Sequence, residues 1–451
     1  ISIDQSTGGL HNTLIKLTTD RRYNKLKDDV WSVLGATRLR GRIQKFVKNI
    51  KRAFIRDTEL NSFFDSLGFR YFGPIDGNDV GQLVKYLTRL KGIKGPKLLH
   101  VITTKGNGYK PAEEDPTKWH APGQYDPSTG ETVKQNDERT RYQDVFGATV
   151  TRLARSDSRI VGVTPAMLSG SGLSAMNAEM PERVFDVGIA EGHAVTFSAA
   201  MAAGGLLPFC CIYSSFMQRA YDNVIHDVAL QNLKVVFCLD RAGLVGEDGA
   251  THHGVFDLAA FRPVPNLIIA SPRNELELAN MLYSATFEDY PATVIRYPRG
   301  RGTGINWKDE AFSRIPAGKA ELLHEDSGAT VALLSIGPVA DKCMQATETA
   351  GRRGVRAIHY DMKFLKPLDT AAIDLVCSKV NTIITVEDGC TAGGLHGAVA
   401  EYVADRHSGC CVRGLGVPDR FISQGTREQL YDVCGFNVDG IVRELLTNSK
   451  N

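Results

Sequence analysis

Residues Val184 to Ala203 read VFDVGIAEGHAVTFSAAMAA. The apolar run Val184 to Ile189 predicts a buried strand. The Ala-rich stretch from about His193 to Ala203 predicts a buried helix. Glu191 falls at the turn between them, with almost no polar company. A carboxylate there is either a partner for the helix N-terminus, favoured by the dipole, or a group held in a dry site for chemistry. A strand-turn-helix taken alone favours the first reading.

Outward from this stretch the same pattern repeats. Strands are expected near 159–163, 207–213, 233–240, 267–270 and 293–296, alternating with helical segments. That alternation predicts a mostly parallel sheet covered on both faces. A further unit has strands expected at 331–336, 355–360, 382–386 and 410–415. Its turn EDGCTAGGLHGAVAEYV resembles a phosphate loop at a helix start, but it lacks the Lys-Ser/Thr of a P-loop. Its glycines are read as structural, letting the helix pack closely.

Ahead of the polar linker Gly123 to Asn136, the helix NDVGQLVKYLTRLKG is expected with Asn78 as its N-cap. The strand PKLLHVI then empties into a Lys-Gly-Asn-Gly-Tyr turn. The basic stretch Arg38 to Arg56 has helical spacing and is read as a solvated helix or lid. With 451 residues the chain is too long for one core. The expected architecture is α/β, three units of mostly parallel, doubly wound sheets, at 1–136, 137–316 and 317–451.

A 43% hydrophobic, 23% charged composition with net charge +2 is that of an ordinary globular protein. It gives no argument for nucleic acid or membrane. The nine cysteines form no C-x-x-C or regular framework and read as reduced core thiols of a cytoplasmic protein.

Polar residues gather where the strands of the second unit end, on one edge of a parallel sheet. Glu191 follows one strand, and Tyr213, Phe216 and Arg219 follow the next. Arg241, Asp248, His252 and His253 lie in RAGLVGEDGATHHG, and Arg299 closes the last strand in RYPRGRG. An acid, aromatics, imidazoles and guanidiniums on one edge suit an anionic, phosphorylated small substrate. The histidines lack a convincing metal spacing, so no metal ligand is assigned.

The stretches DVGIAEGHAVTF, IYSSFMQRAYDNVIHDVALQ, DRAGLVGEDGATHHGVFDL and RYPRG resemble thiamine-diphosphate enzymes of the transketolase superfamily. Within it they are most similar to the 1-deoxy-D-xylulose-5-phosphate synthase family. The flanks GPIDG, TTKGNGYKPAEEDP, KWHAPGQYD and DRFISQGTREQLY extend the likeness over essentially the whole chain. It implies a transketolase-like fold, with a thiamine-diphosphate-binding part and a transketolase C-terminal domain. It implies that Glu191 hydrogen-bonds the cofactor's aminopyrimidine, that Phe216 stacks on that ring, and that Tyr109 and Lys105 lie beside the cofactor. Tyr213, Arg219 and Arg299 would hold an aldehyde phosphate, with Arg241 and Asp248 close to the substrate. His120 and His252 would trade protons, with His253 a neighbour. The implied reaction joins pyruvate, with loss of carbon dioxide, to glyceraldehyde 3-phosphate in a homodimer.

The superfamily holds Mg2+ through a Gly-Asp-Gly and a later Asn, and no matching pair occurs in this sequence. ISIDQSTGG resembles the segment immediately after that Asn, so the metal ligands are expected upstream of Ile1. Transketolase, a 2-oxoacid dehydrogenase subunit and an inert partner subunit are the competing readings. The joint presence of Glu191, Phe216, Arg219 and Arg299 argues against the last.

Overall fold

The computed structural model describes residues 59–116, 118–120, 122–132, 137–407 and 409–449. The basic stretch Arg38 to Arg56 and the opening ISIDQSTGG lie outside them. The chain divides into two compact units, with the boundary between Asn136 and Asp137.

In the first unit, β1 (Arg70–Asp76) and β2 (Lys97–Ile102) pair in parallel, with Arg70 opposite Lys97. The helix Val80–Lys91 connects them. Leu83, Tyr86 and Leu90 recur at helical spacing and are its less exposed positions. The cap differs from expectation. Asp79, not Asn78, accepts the Gln82 amide at 2.9 Å. A charged side chain suits the positive end of the helix better than a neutral amide. Asn78 instead accepts the Thr104 amide at 2.8 Å, tying the helix start to the loop after β2.

The second unit is built on two sheets. The larger holds the parallel strands β3 (Ile160–Thr164), β4 (Val184–Asp186), β5 (Leu207–Tyr213), β6 (Val236–Asp240), β7 (Leu267–Ala270) and β8 (Ala292–Arg296). Every residue of β3, β5, β6, β7 and β8 is buried, which is why these strands read as unbroken apolar runs. The smaller sheet holds β9 (Glu321–Glu325), β10 (Val331–Ile336), β11 (Ala357–Asp361), β13 (Thr382–Cys390) and β14 (Cys411–Val417). Between β11 and β13 in the chain, the short β12 (Phe364–Lys366) joins the larger sheet instead. The strand orders are β12-β7-β8-β6-β5-β3-β4 and β14-β13-β10-β11-β9.

Three strands escaped the sequence reading: β1 of the first unit, which is parallel, and two antiparallel edges of the second. β9 lies against β11, and β12 crosses over to pair with β7. Through β12 the C-terminal part of the chain completes the larger sheet. One apolar cluster runs from Val163 through Phe237 and Ile336 to Val403, joining the two sheets.

The strand expected to run to Ile189 ends at Asp186. Asp186 Oδ1 accepts the Gly188 amide at 2.9 Å and the Ala166 amide at 2.8 Å, and Gly188 has φ of 73°. This side-chain turn stops the strand and aims the chain into the helix Glu191–Ala203. In the EDGCTAGG turn the helix Leu395–Arg406 has its first amides occupied from within. Glu387 accepts from Leu395 and His396 at 2.8 Å each. A Cβ on Gly394 would lie 2.0 Å from that carboxylate, so this glycine serves close approach.

Candidate active site

Glu191 is the first residue of its helix and only 5% exposed. Its carboxylate accepts no hydrogen bond from its own helix. Oε1 faces Arg219 Nη1 at 2.5 Å instead. The capping alternative thus loses its geometric basis, while the field of the helix N-terminus still favours a charge at this point. The Arg219 contact left no trace in the sequence pattern, because it depends on how the segment after β5 folds back. There the chain turns through Ser214–Met217 and Gln218–Ala220 and then makes a π-helical turn at Val224–Ala229. These short turns set Arg219 against Glu191, with Phe216 next to Arg219.

From Arg219 the contacts run on without a break. Its guanidinium lies 5.0 Å from the Phe216 ring. Phe216 stacks on Tyr213 with centroids 5.7 Å apart and 20° between planes, and meets His252 edge-on at 5.3 Å. Arg241 sits 4.1 Å over Tyr213, pairs with Asp240 and donates to the Gly170 carbonyl at 2.9 Å. Burial pushes the Asp240 carboxyl up to about 6, with Arg241 opposing the shift. Burial also raises the Tyr213 hydroxyl, which Arg241 and Arg299 partly offset. Arg299 Nη1 pairs with Asp248 Oδ2 at 2.5 Å and with Glu247 at 3.5 Å.

Glu191, Arg219, Phe216, Tyr213, His252 and Arg241 therefore form one connected cluster, with Arg299 and Asp248 as a second pair. His253 is committed elsewhere. Its Nδ1 accepts the Val245 amide at 3.1 Å, and its Nε2 faces the Ser423 carbonyl at 3.3 Å.

Tyr109, Lys105 and His120 belong to the first unit. Tyr109 packs edge-on against Trp119 at 5.0 Å, and Trp119 against Tyr125 at 4.7 Å. The Tyr109 hydroxyl is buried with no partner among the described residues. His120 and Lys105 are exposed, Lys105 at a turn where Gly106 has φ of 78°.

Sequence reasoning missed a buried ionic layer within the second unit. Arg296 Nε donates to Asp257 at 2.8 Å, and Ser214 shares that carboxylate at 2.9 Å. Arg427, Tyr431 and Asp388 continue it. Only the motif DRFISQGTREQLY hinted at the last group, and spacing alone could not pair residues so far apart.

Three family models match the chain. They are 1-deoxy-D-xylulose-5-phosphate synthase at residues 1–103, the transketolase pyrimidine binding domain at 138–303 and the transketolase C-terminal domain at 318–441. The 1-deoxy-D-xylulose-5-phosphate synthase of Parabacteroides distasonis is 50% identical over 99% of this chain and 71% of its own length. The chain belongs to the 1-deoxy-D-xylulose-5-phosphate synthase family.

The synthase of Bacteroides thetaiotaomicron is 48% identical, over 99% of this chain and 69% of the relative. Among solved structures, a split gene transketolase described as an inactive beta4 tetramer gives a TM-score of 0.61 at 24% identity, covering 69% of this chain and 98% of its own. The transketolase of Campylobacter jejuni gives 0.57 at 18%, covering 86% of this chain and 69% of its own. These likenesses show the transketolase-like fold.

Proposed function

We propose that this chain carries the aminopyrimidine-facing and substrate-facing part of a thiamine-diphosphate transferase. The reaction joins pyruvate, with loss of carbon dioxide, to D-glyceraldehyde 3-phosphate and yields 1-deoxy-D-xylulose 5-phosphate, at the entry to isoprenoid and thiamine synthesis. The observation that carries this reading is the buried Glu191 carboxylate. It stands at a helix N-terminus, turned from its own helix and paired with Arg219, whose guanidinium lies 5.0 Å from the Phe216 ring, in a chain half identical to such synthases. In this reading the chain divides at 136 and 316 into the remainder of a pyrophosphate part, a pyrimidine part and a C-terminal domain. The working enzyme is a cytoplasmic homodimer without nucleic-acid or membrane partners. Among the described residues no helix is long and apolar enough to cross a membrane.

The residues fit the cofactor's ring. Phe216 offers an aromatic plate, and the Ser215 hydroxyl is buried without a partner among the described residues. When bound, the cofactor supplies a nucleophilic carbon and an electron sink. Glu191 holds a proton at a ring nitrogen, and its burial excludes water that would compete for that bond. Phe216 fixes the ring plane, while Tyr109 and Lys105 belong beside the cofactor. Arg299, Arg219 and Tyr213 bind the phosphate of the aldehyde, with Asp248 aiming Arg299 and Arg241 close by. His252 and His120 move protons at the reacting oxygens. Among the described residues no cluster of His, Cys, Asp and Glu could hold Mg2+.

Product analysis of the purified holoenzyme tests this reading. Pyruvate and glyceraldehyde 3-phosphate should give 1-deoxy-D-xylulose 5-phosphate and carbon dioxide in equal amounts. Ketol transfer from xylulose 5-phosphate to ribose 5-phosphate, with no such product, would assign the chain to transketolase instead.

A further inference from the structure

The loop Arg241–Gly254 and the Arg299 segment carry the residues read as facing the substrate, and both are held from behind by the C-terminal part of the same unit. Arg427 Nη1 donates to the Arg299 carbonyl at 3.1 Å, and Nη2 donates to the Tyr431 hydroxyl at 2.8 Å. Tyr431 in turn donates to Asp388 Oδ2 at 2.7 Å. Asp388 Oδ1 accepts the Leu244 amide at 2.9 Å. The relay thus begins on the backbone of one substrate-facing segment and ends on the backbone of the other.

Its environment is dry. Tyr431 is 2% exposed and Asp388 5%. Arg427 Nε is buried with no partner among the described residues. Buried ionic groups with an unmet donor are poor stabilisers, because desolvation offsets the attraction. What this arrangement does fix is a distance. Gly243, with φ of 73°, is seated so closely that a Cβ would lie 2.3 Å from the Asp388 carboxylate. Recognition of a phosphate by several donors demands that kind of spacing, since small misplacements of the donors weaken every bond at once.

We propose that Arg427, Tyr431 and Asp388 are positioning residues for the aldehyde phosphate, setting the separation of Arg299 from the Arg241–Gly254 loop. This rests on the reading of Arg299 as a phosphate ligand. The relay touches no substrate atom and acts through the two backbones it joins. Its loss therefore blunts discrimination for a phosphorylated acceptor while sparing the chemistry common to all acceptors.

The test compares D-glyceraldehyde 3-phosphate with unphosphorylated D-glyceraldehyde as acceptors for the holoenzyme and its Tyr431→Phe and Arg427→Ala variants. The expected result is a drop of about tenfold in kcat/KM for the phosphorylated acceptor, carried by KM. The unphosphorylated acceptor should change by less than about twofold, and KM for pyruvate should stay put. Equal losses on both acceptors would show a general structural role and overturn the proposal, as would no loss on either. If Arg427→Ala fails to fold, Tyr431→Phe, which keeps the ring, carries the comparison. Arg299→Ala is run beside them. If it leaves discrimination intact, the phosphate reading itself fails. If it lowers discrimination while Tyr431→Phe does not, only the relay fails.

Discussion

At the scale of single residues, the important contacts are ones that only folding makes visible. Glu191 was legible as an acid in apolar company, yet its partner Arg219 was not, because 28 residues and several tight turns separate them. Tyr213, Phe216 and Arg219 were legible as a group at one strand end, whereas the stacking of Tyr213 on Phe216 was not. The buried Arg296–Asp257 pair was invisible, since either residue alone reads as surface. Gly243 offers a sharp test of close packing. Gly243→Ala would combine a positive φ with a Cβ pressed on Asp388, so it should cost more than about 1 kcal/mol. Denaturant unfolding of the purified variant measures this, and an unchanged midpoint would show that the loop is not seated on Asp388.

Elements divided by how much of their signal is local. The parallel strands β3 and β5 to β8 were legible because burial on both faces leaves an unbroken apolar run. β9 and β12 were not, because a short edge strand owes its existence to a neighbour rather than to its own residues. The helix Val80–Lys91 was legible and its cap was displaced by one residue. Asp79→Ala should therefore destabilise that helix start by about 1 kcal/mol. Asn78→Ala should instead release the Thr104 loop. Hydrogen exchange reads the difference: Asp79→Ala should speed exchange at the Gln82 amide and Asn78→Ala at the Thr104 amide. The reverse pattern would restore Asn78 as the cap.

Across the whole molecule, burial leaves carboxylates whose ionisation opposes the fold. Glu387 is the clearest, pushed by burial from its ordinary 4.5 up to about 7 although two helix amides favour its charge. Its unfolded form ionises first as pH rises, so the folded state holds the extra proton. Stability from this group is complete below about pH 4.5 and is lost as pH climbs toward 7, by roughly 1.4 kcal/mol per unit within that window. Glu387→Gln removes the titration. The melting temperature of the variant relative to the parent should rise between pH 5 and pH 8, and a constant offset would contradict the assignment.

The family, the fold and the sheet edge that gathers the polar residues were all legible, because they rest on long motifs and strong periodicity. How the C-terminal part braces that edge was not, because it rests on contacts between residues more than forty positions apart. The catalytic reading turns on the charge of Glu191, and a single rate comparison decides it. The rate of 1-deoxy-D-xylulose 5-phosphate formation by the Glu191→Gln holoenzyme is compared with the parent, with circular dichroism on the same samples. A neutral amide of the same shape should keep the fold and lower turnover by about a thousandfold or more. Turnover within a few fold of the parent, in a folded variant, would remove Glu191 from the chemistry.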